Sequence, residues 1–329
     1  MPSCLRLLGA LAAVLVILAG CTQSPSLPGG DDNGDDTPQD VAEGTCWNGD
    51  KLGSDPQDVL KLSDTFKVPY LEAARALADR PSFTGRDDCD RDHAMEVYKV
   101  VRLPSLDEQL VDYATLLQRQ TPLYDEVARS VATGCMTEEL TKTAALAGVD
   151  HAVMSPALPD GASLGWAPAA PQKWADGQRV FACTLTWSKP ESIRYADVLT
   201  KAFPTSMRTC IDSKALVFVD CARKHDRERI AVIEAREAVA AGSFPGPKAI
   251  KDGPTGRSLE VPDGRWKQLD DACTAYLRMV SGTKKLYGVA NVDADRWPTP
   301  SGSYPIYCDA DRRPDQEPLV TEGSVYDRG

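Results

Sequence analysis

The chain reads as an α+β protein built from two tandem, disulfide-stapled modules, each a small, mostly antiparallel sheet packed by one or two helices. Three observations predict this. A Cys-x3-His-x2-Glu pattern occurs twice, as Cys89, His93 and Glu96 and again as Cys221, His225 and Glu228, in a chain with only three histidines. A pattern repeated in one order indicates duplicated units. Of the ten cysteines, Cys4 lies in an apolar leader and Cys21 follows it, leaving Cys46, Cys89, Cys135, Cys183, Cys210, Cys221, Cys273 and Cys308. An even set on an exported chain reads as a disulfide framework. Finally, 329 residues are enough for two separate cores of about 100–150 residues each.

The N-terminus sets the compartment. Arg6 precedes LLGALAAVLVILAG, an apolar run too short to cross a bilayer comfortably and ending in small residues, which is the shape of a secretory signal peptide over 1–20. Leu18-Ala19-Gly20-Cys21 resembles a bacterial lipobox. That resemblance implies diacylation of Cys21 and a chain anchored in the cell membrane, facing the extracytoplasmic side; two acyl chains give the firm anchoring that one does not. Residues 21–43 are rich in Pro, Gly and Asp and poor in apolar groups, so they read as a disordered acidic tether. With 37 basic and 48 acidic residues the net charge is −11. Such a balance disfavours nucleic acid and anionic lipid surfaces as partners.

The first module is expected over 44–190. Helical spacing over 56–80 is broken at Pro69. Met95, Val97 and Val101 alternate with polar neighbours and predict a strand, one that Lys99 places towards a sheet edge. Ser105 and Glu108 make a capping-box signature for a helix through Leu117. Thr121-Pro122 starts another, carrying Val127, Val131 and Cys135 on its buried face. Residues 155–174 read as mostly loop, 180–187 as a closing strand and 188–207 as a linker with some helical character.

The second module, 208–310, repeats the plan more compactly. A strand lies between Cys210 and Cys221, and Ile230, Val232 and Ile233 follow the His–Glu pattern. A Gly- and Pro-rich loop covers 242–258. Asp263 is placed to cap a helix that holds Trp266, Leu269, Cys273, Tyr276 and Leu277 and stops at Gly282. A last strand runs to Cys308, and 311–329 form a flexible tail. Because the cysteines occur in the same order of contexts in each half, the repeat predicts Cys46–Cys89, Cys135–Cys183, Cys210–Cys221 and Cys273–Cys308.

Gly44-Thr45-Cys46-Trp47-Asn48, Cys89 with His93, Glu96 and Val97-Tyr98, then Pro171, Trp174, Gly177, Arg179 and Cys183 resemble the septum-formation domain family of exported proteins from high-GC Gram-positive bacteria. The resemblance covers about 44–187. The second half keeps the four cysteines, His225, Glu228 and Trp297 but lacks the Gly–Arg step before its last cysteine. The family implies an envelope-associated, non-catalytic module linked to septation or cell-wall growth, with an envelope or division protein as the expected partner.

Chemically, Cys-x3-His supplies too few ligands for zinc at either place. A bridged sulfur is neither a metal thiolate nor a nucleophile. His93 and His225 therefore read first as structural groups in the turns after disulfides, bonding a backbone carbonyl or the following glutamate, and second as partner contacts. No metal, cofactor or catalytic residue is expected. The six tryptophans leave a cell-wall glycan possible as ligand, and an unrecognised wall-active hydrolase is the enzyme alternative.

Overall fold

The computed structural model describes residues 38–215, 217–253, 256–262, 264–282, 284, 286–311 and 323–328. The signal peptide, Cys21, the tether before residue 38 and the capping position Asp263 lie outside the described residues. Among those described, no helix is long and apolar enough to cross a membrane.

The chain order is β1 (Thr45–Trp47), α1 (Pro56–Phe66), α2 (Tyr70–Leu77), β2 (Arg86–Asp87), β3 (His93–Val101), α3 (Ala114–Leu117), α4 (Pro122–Cys135), α5 (Glu138–Ala145), β4 (Val153–Pro156), β5 (Ala162–Pro168), α6 (Pro171–Ala175) and β6 (Phe181–Glu191). After these come α7 (Tyr195–Val198), β7 (Thr209–Asp212), β8 (Val217–Val219), β9 (Arg227–Glu234), α8 (Arg236–Ala240), β10 (Ile250–Gly253), β11 (Gly256–Leu259), α9 (Arg265–Ser281), β12 (Tyr287–Asn291) and β13 (Pro305–Asp311). The structure is thus α+β with antiparallel sheets.

The first sheet runs β2-β1-β3-β6-β5 and the second β8-β7-β9-β13-β12, the same order of equivalent strands. The register repeats as well. Cys46 faces Glu96, which faces Leu185; Cys210 faces Glu228, which faces Ala310. The bridges are Cys46–Cys89, Cys135–Cys183, Cys210–Cys221 and Cys273–Cys308, the pairs that the repeat predicts. In each half one bridge ties the first strand to the turn before the histidine, and the other ties the long helix to the sheet.

Local chemistry explains the long helices. Asp55 accepts from Gln57 N at the start of α1 and Thr121 from Tyr124 N at the start of α4, each helix having proline at its first position. α9 begins after Gly264 and ends at Gly282, which adopts φ 67°, the left-handed stop that glycine accepts without strain.

Several sequence expectations are corrected. β3 is central, between β1 and β6. Lys99 is tolerated there because its stem carries the ammonium to the carbonyl of Met136, 2.5 Å away. The capping-box helix is instead a 3-10 turn at Pro104–Leu106 followed by the short α3. The carbonyl of Leu110 accepts from Trp174 Nε1 and Ala114 N bonds Asp112, so neither is left for a continuous helix. Residues 155–174 take in the end of β4, all of β5 and most of α6, and the 242–258 loop contains most of the β10–β11 hairpin. In the 188–207 linker, Tyr195, Val198 and Phe203 are buried with Leu185 and Trp187 of β6.

The module boundaries also differ from the packing. Residues 136–154 supply Met136, Leu140, Ala144 and Met154 to the core of the second sheet. β4 pairs with β9, alongside β7. The halves are therefore interlocked, because α5 and β4 have their apolar partners in the second core. Both expected flexible ends are anchored where they are described. Gln39 N bonds Phe83 O, and Val41 is buried. Ser324, Val325 and Tyr326 are buried against the second half.

Candidate functional site

The duplicated motif builds the same corner twice. His93 and His225 are buried, each with Nδ1 2.8 Å from the carbonyl two residues upstream, on Arg91 and Arg223. A carbonyl can only accept, so Nδ1 carries the proton. Both Nε2 atoms are buried and lack a hydrogen-bond partner among the described residues.

The glutamates hold the chain after the last strand of each half. Glu96 Oε2 accepts from Tyr195 N at 2.5 Å, with Arg194 Nε 3.6 Å from Oε1. Glu228 accepts from Ser324 Oγ at 2.8 Å and Val325 N at 2.7 Å. Burial raises the Glu228 carboxyl above its ordinary range, and these two bonds with the Arg208 and His225 charges oppose that rise. Tyr195 stacks on Tyr98 at 3.8 Å, and Arg208 lies 3.5 Å over the Tyr326 ring. The role of the motif glutamates was missed in the sequence, although Tyr195 and Tyr326 are a signal in hindsight: a tyrosine follows the last strand of each half.

Ligand atoms of Cys210, Cys221 and Glu228 lie within 4.8 Å of one another, a spacing that would suit a metal, but the two sulfurs are bonded to each other. Trp174 is a core group: it is buried, donates to Leu110 O at 2.9 Å and meets Tyr113 and Phe181 edge-on.

Open space collects elsewhere, around β5. A cleft of about 530 Å³ between the halves is lined by Arg119, Arg129, Arg236, His151, Tyr124 and Trp166 among others. Arg129 pairs with Glu237 at 3.1 Å and so ties α4 to α8. Arg80, at its base, donates to Tyr113 Oη at 3.1 Å and to the carbonyl of Leu116. A smaller apolar pocket of about 170 Å³, with Tyr98, Met136 and Met154 in its walls, opens beside it. A third, of about 550 Å³, lies towards Lys51 and Trp187. Leu164, Gly165 and Trp166 line all three, so β5 is their common wall. This cleft is not legible in the sequence, because its arginines come from separate parts of the chain.

No family model matches the chain, and neither a curated protein nor a solved structure does.

Proposed function

We propose that the chain is a lipid-anchored, extracytoplasmic, non-catalytic protein of the cell envelope, an interaction or scaffold component in septum formation or cell-wall growth. The observation that carries this is how the duplicated motif is used. In both corners the cysteines are bridged, the histidine bonds a backbone carbonyl and the glutamate clamps the chain that closes its half. Its most chemically capable residues thus hold structure. The inter-half cleft, with charged and aromatic walls, offers a contact surface instead. The leader ending in Leu18-Ala19-Gly20-Cys21 and the disulfides support the anchored, oxidising location.

The test is chemical. Mass spectrometry of the N-terminal peptide is expected to find Cys21 as the first residue with lipid attached, and Cys21→Ala is expected to release the chain from the membrane fraction. A cytosolic chain with reduced cysteines would refute the location. The alternative, a wall-glycan binder or wall-active hydrolase, draws on Trp166 and Tyr124, ring centroids 6.0 Å apart beside the cleft arginines. Retention on isolated cell wall, lost on Trp166→Ala, would favour it.

A further inference from the structure

The two halves build the same sheet, so each serves as a control for the other. β5 and β12 hold the same outer position in the same register. Trp166 faces Cys183 and Leu164 faces Leu185; Ala290 faces Cys308 and Gly288 faces Ala310. In an antiparallel ladder alternate residues turn their N–H and C=O away from the partner strand. Bonds from Ser188 N to Gly161 O and from Ala169 N to Val180 O fix the odd-numbered positions as facing β6. Leu164 and Trp166 therefore present their backbone groups outward. Pro168 shares that outward phase, where its missing N–H costs the ladder nothing.

On β12 the corresponding outward groups are sealed by α9. Thr274 Oγ1 accepts from Gly288 N at 3.0 Å and donates to Gly288 O at 3.2 Å. Asp270 Oδ1 accepts from Ala290 N at 2.7 Å. A Cβ on Gly288 would stand 2.3 Å from the carbonyl carbon of Cys273, so glycine is what lets the helix come so close. Counting from the bridged cysteines, α4 has Ala132 and Met136 where α9 has Asp270 and Thr274, and β5 has Leu164 where β12 has Gly288. Among the described residues the first half has no such seal: Met136 Sδ instead accepts from Met154 N at 3.2 Å. Among the described residues no group bonds the outward N–H of Leu164 or Trp166.

An exposed strand edge is a ready template for another chain, and proteins normally blunt it. This one is the shared wall of three pockets. Beside it lie Arg119, Arg236 and His151, on a protein whose net charge is −11. The acidic groups that line the cleft are engaged: Glu237 with Arg129, Asp79 with Lys51, and Glu234 with Arg236 N, Tyr304 N and the Ser303 hydroxyl.

We propose that the open edge of β5 docks an extended, acidic segment of a partner protein, which joins the first sheet as an added strand. Its backbone pairs with Leu164 and Trp166, and its carboxylates lie among Arg119, Arg236 and His151. Main-chain bonds supply affinity and the flanking pockets supply specificity. This names the kind of partner for the interaction role proposed above and rests on that reading.

Fluorescence anisotropy with the full chain in detergent tests it. The probe is a labelled peptide of alternating threonine and valine carrying two aspartates; the controls carry two lysines or N-methyl groups on alternate amides. The aspartate peptide is expected to bind at least about tenfold more tightly than either control. Leu164→Pro removes an outward N–H while leaving the β6 ladder whole, and it is expected to weaken binding by about tenfold or more, as is Arg236→Glu. If Leu164→Pro does not fold, the N-methylated peptide puts the same question from the ligand side. Absence of aspartate-peptide binding overturns the proposal, as does binding indifferent to N-methylation or to charge. So does a dimer that buries the β5 edge, which would make a second copy the occupant. Failure here with Cys21 lipidated and a partner still trapped by crosslinking would remove only the docking edge; a cytosolic chain would remove the envelope reading.

Discussion

Each corner glutamate lies opposite the first cysteine of its half and points into the chain that leaves the last strand. Removing the Glu228 carboxylate leaves the buried Val325 N–H and Ser324 hydroxyl without an acceptor. Glu228→Ala is therefore expected to lower stability by about 1–3 kcal/mol in urea denaturation. Glu228→Gln keeps an acceptor and separates the hydrogen bond from the charge. Burial raises the Glu228 carboxyl, so the folded chain holds this proton to higher pH than the unfolded chain does. Its contribution is complete below the ordinary carboxylate range and is lost as pH rises through the raised value. In denaturation midpoints taken between about pH 4 and pH 8, the glutamine variant is expected to flatten that fall. An unchanged slope would mean that Glu228 is not the group responsible.

Elements differ in how much of them the sequence held. α1, α4, β6 and α9 were legible because their signals are local: a capping side chain, proline at the first position, apolar spacing and a terminal glycine. The pairing of cysteines was legible because the repeat supplied the order that spacing alone does not. β4 and β5 were not legible. Both contain proline or glycine, and β4, only four residues long, takes its place by pairing with β9, which lies far along the chain. Gly134, a weak point in the α4 pattern, is explained by packing: a Cβ there would come 2.9 Å from Val101 Cγ1. The central place of β3 was hidden because Lys99 bonds a carbonyl that only the fold brings near. At this scale the bridges should be unequal. Cys273–Cys308 closes a sequence separation of 35 and Cys210–Cys221 one of 11, for which chain entropy gives about 4 and about 3 kcal/mol. Paired Cys→Ala variants measured by urea denaturation are expected to rank in that order, and the reverse order would locate the larger effect in native packing.

At the scale of the whole molecule, the chain builds two sheets with one order of strands and ties them together. Residues 136–157 follow the first long helix in sequence, yet their apolar side chains complete the second core. A fragment of residues 208–329 is accordingly expected to lack a cooperative thermal transition, and one of residues 136–329 to regain it. Independent, cooperative folding of the shorter piece would contradict the interlock. The halves also differ where it bears on function. α9 seals the outer edge of the second sheet through Thr274 and Asp270, whereas β5 leaves the same edge of the first sheet open beside the arginine-lined cleft. The most direct test compares amide hydrogen exchange at four equivalent sites in the free chain. Leu164 and Trp166 should exchange quickly, and Gly288 and Ala290 slowly. Equal protection at all four would show the β5 edge already closed and would contradict the open docking edge.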